Sequence, residues 1–329
     1  MNGVNLNDFQ FEYDLTWMAF FQNAAGRTYT RYGGRESHDA ESHLTAGSLL
    51  RVMRQVLELH RAGEVQPISR YEPAGNAVHT PEDIPPMKKM MANRKQNKCI
   101  HCHDVKVANL RDIRDRKMLK KEMVFTYPSP SNLGICIDPD KQNVVGDVLP
   151  NSSAAKSGIQ KGDVIQTAGG QRVLTFADFS RVLELAPQES MLKLVLKRDG
   201  NVLEPVLQLS GDWRKDADVA WRSSVEAVGP NAGFWGVKAN DDQRRNLKLK
   251  KDDLALRVTF VWAKWTREAG IRNGDVVVAV DGKRNDMTVR QIHAHLQMNR
   301  NWGDVVSLTV LRRGKEMTLR LHLPDGPAQ

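Results

Sequence analysis

The chain has 329 residues, 40% hydrophobic and 26% charged, a globular composition that is too long for one average domain and excludes a wholly disordered or fibrous chain. Its longest apolar run, Leu15 to Phe21, falls far short of the ~20 residues that cross a bilayer, so no transmembrane helix is expected. The net charge is +9, and residues 81–127 alone carry twelve basic and six acidic side chains. That basic segment has aromatics only at its end, Phe125 and Tyr127. It reads as a solvated face or a docking surface for an acidic partner, not as a nucleic-acid site. The opening residues show neither the basic nor the apolar region of an export signal, which taken alone implies a cytoplasmic protein.

In chain order, the first elements are a strand Leu15 to Phe21, a turn Asn23-Ala24-Ala25-Gly26, a strand Thr28 to Tyr32 and a helix Leu44 to Leu59. Leu49, Val52, Met53, Val56 and Leu57 are expected to face inward from that helix. The hairpin-then-helix order and the wording Trp17-Met18-Ala19-Phe20-Phe21-Gln22-Asn23-Ala24-Ala25-Gly26-Arg27 resemble the C-terminal half of a thioredoxin fold. The usual cis-proline is absent, Leu15-Thr16 standing in its place. The first half of that fold, with its redox motif, would precede Met1. The resemblance therefore implies an N-terminally shortened member of a bacterial thioredoxin-like/PDZ family, whose full members are exported, so a periplasmic or otherwise extracytoplasmic location is expected.

The three cysteines cannot build a disulfide scaffold, and two of them lie in Cys99-Ile100-His101-Cys102-His103. C-x-x-C-H is the spacing of c-type haem attachment: Cys99 and Cys102 would form thioethers and His103 would ligate iron as the metal-binding residue. This would give a redox or electron-transfer role and a redox protein partner. Surrounding candidates for a sixth ligand are His79, Met87, Met90, Met91, Met118 and Met123. Three other readings stay open: a thiol-disulfide pair at Cys99 and Cys102, a zinc site, and two reduced surface thiols.

The rest of the chain repeats itself. Ser157-Gly158-Ile159-Gln160-Lys161-Gly162-Asp163-Val164-Ile165 matches Ala269-Gly270-Ile271-Arg272-Asn273-Gly274-Asp275-Val276-Val277 at an offset of 112. Each copy predicts β-β-helix-β-helix-β-β, ending in a hairpin about Asp199-Gly200 or Arg313-Gly314. These blocks are similar to the most recognisable stretch of bacterial PDZ domains of the protease-associated type. The resemblance implies a carboxylate-binding loop at the head of the groove strand, expected at Leu133-Gly134-Ile135 and at Trp235-Gly236-Val237, with a peptide added as a β-strand. Phe179 and Val182 in the first copy, and Ile292 and His295 in the second, are expected to line the peptide site from the groove helix. From Gly134 to Gly158 is 24 residues and from Gly236 to Gly270 is 34, so the second copy carries a ten-residue insert. Its basic run Gln243 to Lys251 reads as a solvated helix. No Gly-x-Ser-x-Gly or His-Glu-x-x-His motif occurs, so no protease chemistry is expected and the enzyme question stays open.

The expected architecture is therefore α+β and multidomain: a partial thioredoxin-like α/β piece (1–70), a basic linker with the CxxCH motif (71–127), a PDZ domain (128–212), a connector (213–225) and a second PDZ domain (226–325), each PDZ a small β-barrel-like sandwich with two helices. The expected function is binding of protein C-termini or β-strand segments by an extracytoplasmic haem c protein; the alternatives are a scaffold or adaptor without haem and a thiol-disulfide redox protein.

Overall fold

The computed structural model describes residues 1–64, 78–93 and 99–327. These form two compact units, one from Met1–Arg116 with Glu122–Ala217 and one from Lys117–Lys121 with Asp218–Gln329. The expected boundary at 70/71 and most of the stretch just ahead of Cys99 lie outside the described residues.

The first unit opens with strands β1 (Met18–Gln22) and β2 (Thr28–Gly33), paired antiparallel, then helix α1 (Ala46–Arg61). Thr45 caps α1: its hydroxyl accepts from the Ser48 amide, and the Ser48 hydroxyl returns to the Thr45 amide. The inward face expected for α1 is largely open. Only Ser48 and Val52 are buried, while Met53 and Leu57 are exposed, because a two-stranded hairpin offers too narrow a surface to cover a full helical stripe. The hairpin is not a free-standing half-sheet either: every residue of β2 is buried.

The stretch expected to be a linker carries two helices, α2 (Pro85–Ala92) and α3 (Cys102–Asp115). They share a core with the chain's first residues through Leu6, Ile84, Met87, Ile100, Val105 and Ala108. Part of the basic excess is structural. Lys106 is buried and donates to the Glu12 carboxylate at 2.7 Å, to the Val124 carbonyl at 2.8 Å and to the Thr126 hydroxyl at 2.7 Å. A buried ammonium is tolerated only when its donors are matched in this way.

The first repeat follows as β3 (Ile135–Ile137), β4 (Val145–Val148), α4 (Ser153–Lys156), β5 (Val164–Ala168), β6 (Gln171–Arg172), α5 (Phe176–Leu185), β7 (Ser190–Arg198), β8 (Asn201–Leu203) and β9 (Val206–Leu209). β3 pairs with β4, and β6-β5-β7-β8 run in that order with β9 also on β7. The second unit repeats the plan as β10 (Phe234–Lys238), α6 (Asp241–Asn246), β11 (Leu256–Val261), α7 (Lys264–Glu268), β12 (Val276–Val280), α8 (Val289–Asn299), β13 (Val305–Arg312) and β14 (Lys315–His322), in one sheet ordered β10-β11-β12-β13-β14. The closing hairpins turn on Asp199-Gly200 and Arg313-Gly314, both residues of each pair at positive φ, the two-residue turn that matches strand twist.

Each copy encloses its own apolar core. One contains Ile135, Ile165, Phe179, Leu183, Leu194 and Leu207; the other contains Phe234, Val258, Val277, Ile292, Leu296 and Val306. The insert of the second copy is not simply solvated. Arg244 of α6 is buried and donates to the carbonyls of Ala239, Lys250 and Asp253 and to the Asp286 carboxylate, which pins the insert down.

Candidate peptide-binding grooves

A strand bordering a groove must keep its outer hydrogen-bonding edge free. In the second unit β10 is the edge strand. Gly233 accepts from the Trp262 amide at 3.2 Å and Ala239 donates to Ala255 at 2.7 Å, so 233, 235, 237 and 239 turn their polar groups to β11. Phe234 and Gly236 alternate with them and face outward, towards α8. That orientation is visible at one atom: the His293 side chain of α8 donates through Nε2 to the Phe234 carbonyl, 3.0 Å away. In the first unit, the bonds Leu149 N–H to Gly134 O and Asp138 N–H to Val144 O orient 134, 136 and 138 to β4 in the same way. Ile135 and Ile137 are then the outward rungs.

The head of each groove strand is a left-handed glycine whose missing side chain is required. A Cβ on Gly134 (φ +88°) would lie 2.1 Å from the Ser152 hydroxyl at the cap of α4. A Cβ on Gly233 (φ +68°) would lie 2.3 Å from Ala263 Cβ at the cap of α7 and 2.3 Å from the Thr266 hydroxyl. Gly233, not Gly236, thus occupies the position of Gly134, and Ala232-Gly233-Phe234 matches Leu133-Gly134-Ile135. Gly236 lies within β10 beside a bulge, where a Cβ would meet the Arg257 carbonyl at 2.8 Å. Trp235 and Val237 point outward and are exposed. With the glycine moved, the second copy's insert lengthens by three residues.

The helix side of the groove also shifts by one face. Thr175 and Thr288 cap α5 and α8, so Phe176 corresponds to Val289 and Ser180 to His293. Phe179 and Val182 lie in the first core and Ile292, wholly buried, in the second, because they occupy the stripe that faces the sheet. His295 accepts from Asn299 at 3.2 Å on the flank of α8, whereas His293 carries the groove contact. Burial, aided by the nearby Arg290 and only partly opposed by the Phe234 carbonyl, pushes the His293 imidazole down to about 4. It is neutral at pH 7, with its proton on Nε2. Its ring lies 6.3 Å from Trp235 and 5.7 Å from Trp262, edge to face, and Phe260 stacks on Trp262 at 6.4 Å. Arg290 sits 6.0 Å above Trp235. The mouth of this groove is thus aromatic and cationic, suited to an apolar side chain near a carboxylate.

The first groove is covered. Phe176 and Ser180 on its helix side are buried, with His43 stacked on Phe176 and Gly34 and Arg35 beside Phe176 and Ser180, all from the segment after β2. The sequence gives no sign of this, since the contacts join positions more than 90 residues apart.

The cysteine motif lies at the start of α3, with His101 as the N-cap. Cys99 is exposed, and Cys102 and Cys136 are half-buried. The His103 side chain is 45% exposed and stacks on His101 at 5.6 Å. Two reachable thiols and an outward imidazole fit covalent haem attachment. They do not fit enclosure, because Ile100 and Met87 belong to the core. The neighbouring open cleft of about 340 Å³ is lined by Glu82, Met87, Lys88, Met91 and Ala92, without the motif's residues. Burial pushes the Cys102 thiol up, opposite to the activation a redox thiol needs. Among the described residues no group of three or more His, Cys, Asp or Glu side chains is arranged to hold a metal ion.

Residues 144–198 match the PDZ domain family model. The chain is 28% identical over 146 residues to the periplasmic serine endoprotease DegP of Salmonella typhimurium, covering 44% of this chain and 27% of that protein. It is 26% identical over 149 residues to the periplasmic pH-dependent serine endoprotease DegQ of Escherichia coli, covering 45% of this chain and 30% of that one. It therefore spans less than a third of the length of these relatives. A crystal structure of the HtrA3 PDZ domain bound to a phage-derived ligand is matched at 24% identity and a TM-score of 0.19, over 24% of this chain and 66% of that one. A PDZ domain homologous to those of the DegP proteases is present. No helix among the described residues is long and apolar enough to cross a membrane.

Proposed function

We propose that this chain is a periplasmic binding protein whose PDZ copies take up protein C-termini or β-strand segments, acting as an adaptor without protease chemistry of its own. The observation that carries the reading is the outward Phe234 carbonyl of edge strand β10, which already accepts a hydrogen bond from the groove side at 3.0 Å. An incoming peptide amide would make that same bond, and the outward Phe234 and Gly236 amides would serve its carboxylate and first carbonyl. In the first copy the outward amides of Ile135 and Ile137 would do so, with Leu133 and Gly134 forming the carboxylate loop at their head. The names of the relatives, both periplasmic, support the location.

The test is selection of phage-displayed C-terminal decapeptides on the chain, then anisotropy titration of the selected peptide. Binding that weakens at least tenfold when the terminus is amidated, and severalfold in Trp235→Ala, supports the reading. Equal binding of acid and amide contradicts it.

Two finer readings stay with this proposal. The thioredoxin-like reading of residues 1–70 is supported by the order β1, β2, α1. Haem c attachment at Cys99 and Cys102, with His103 as iron ligand, is supported by the spacing and by the accessibility of Cys99 and His103; bound haem would supply one-electron chemistry there. Expression with haem-maturation machinery would give a Soret band that Cys99→Ala diminishes, and a colourless protein would refute it.

A further inference from the structure

The covered groove of the first unit has an identifiable occupant. After β2 the chain passes the groove helix at Gly34, whose position admits no side chain, a Cβ lying 2.7 Å from the Phe176 ring. It then reaches the loop ahead of β3. There the Glu36 carboxylate accepts from the hydroxyls of Ser129 and of Ser131, the latter at 2.9 Å. Burial pushes the Glu36 carboxyl up, but hydrogen bonds from His43, Ser129 and Ser131 outweigh it and hold the group below the usual carboxylate range. It is a half-buried anion at the mouth of the loop that heads the groove; burial raises the Cys136 thiol of β3, and Glu36 adds to that rise. The segment then turns back. The His43 ring stacks on Phe176 with centroids 3.9 Å apart and 15° between planes, while its Nε2 donates to Glu36 at 2.8 Å. The His43 carbonyl accepts from Gln142 at 3.1 Å, and the Thr45 hydroxyl donates to Asp140 at 2.9 Å.

Both ends of this stretch are tied to the PDZ copy. Upstream, the Arg31 amide donates to Asp178 at 3.1 Å and the Arg31 carbonyl accepts from Thr175 at 2.5 Å. The stretch leaves a small cavity at Ser180, whose hydroxyl is buried without a protein partner.

We infer that residues 34–45 are a ligand in cis for the first PDZ groove, with the Glu36 carboxylate held at the carboxylate loop, so that a C-terminal peptide binds this copy only by displacing them. The inference rests on the peptide-binding reading for its regulatory meaning, though not for the occupancy itself. A tethered segment competes at an effective concentration in the millimolar range. Free peptides would therefore see the first copy as weak, and a partner that draws the segment away would open it.

Two measurements on the full chain test this with the Glu36→Ala/His43→Ala variant. In hydrogen exchange, the Ile135 and Ile137 amides should exchange at least tenfold faster than in the parent, while Val277 in the other copy is unchanged. Unchanged exchange at Ile135 and Ile137 would overturn the occupancy. In the second measurement, free-acid peptides are selected by phage display on the variant, with the second groove disabled by Trp235→Ala and Val289→Glu. They should bind the otherwise parental chain at least tenfold more weakly. Equal affinity would overturn the competition while leaving the peptide-binding reading intact; faster exchange with no selectable peptide would keep the occupant and refute peptide binding. Because the double change could loosen the whole unit, Glu36→Gln, which keeps the shape and removes the charge, should show an intermediate exchange increase.

Discussion

His293 does two jobs that pull in different directions: it stabilises the second unit and it occupies the bond that a ligand needs. Its imidazole is half-buried and neutral, with a folded value of about 4 against about 6.5 for an unperturbed histidine. A histidine lowered on folding contributes stability that is whole above pH 6.5 and is lost as pH falls towards 4. The shift corresponds to about 3 kcal/mol. Denaturant melts of the second unit should lose that amount between pH 6.5 and 4, and His293→Phe should flatten the window; an unchanged pH dependence would refute the assignment. His293→Ala should also raise peptide affinity at pH 7 about fivefold, since one net hydrogen bond of roughly 1 kcal/mol no longer competes. Tighter binding by the parent than by the variant would instead make His293 a ligand contact.

At the scale of elements, the repeat is held by a tie that recurs in both copies. Asp163 is buried at the head of β5 and takes a two-pronged contact from Arg198 of β7, at 2.6 and 2.8 Å, while Arg198 also reaches the Gly158 carbonyl. Asp275, Arg312 and Gly270 repeat this at 2.7 and 2.8 Å. Here lies the physical reason for the Gly-Asp pair that makes the duplication visible. Burial raises the Asp163 carboxyl, but Arg198 and the Gln160 amide more than offset this and hold it below the ordinary range. Its stabilisation is therefore full above about pH 4 and is lost as pH falls through the lowered value. Asp163→Asn should cost about 2 kcal/mol at pH 7 and remove part of the acid-limb loss below pH 4. A neutral effect at pH 7 would contradict it.

The same scale explains what could be read without a structure. Turn pairs, helix caps and the Gly-Asp blocks are local, so their positions follow from residue type. The choice of loop glycine is not local. Trp235-Gly236-Val237 and Ala232-Gly233-Phe234 both offer apolar-Gly-apolar, and only packing against Ala263 and Thr266 decides between them. One signal was present: Asn132 and Asn231 each stand two residues before the glycine that is used. On α5 and α8, periodicity identifies the apolar stripe, but that stripe is the core face. The groove face at Ser180 and His293 is polar and so escapes a search for hydrophobic residues.

For the whole molecule, one groove architecture occurs twice in different states, filled by the chain's own residues 34–45 in the first unit and latched by a single histidine in the second. Composition and repeat give the number of copies, yet the occupant is invisible to them. Residues 28–33, all of them buried, pack against the PDZ copy of the first unit. Thr30 and Arg31 bond Asp178 and Thr175, about 145 residues further along the chain, for example Thr30 Oγ1 to Asp178 at 2.5 Å. A domain boundary drawn by sequence between hairpin and PDZ copy therefore cuts through a single packed unit.

The most direct test of peptide binding is a backbone amide NMR titration of the parent chain at pH 7, using one selected peptide in free-acid and amidated forms. The free acid should shift Phe234, Gly236 and the His293 Nε2 proton first, the amidated form at least tenfold more weakly. Shifts that leave these three sites unmoved, or equal affinity for both forms, would contradict it.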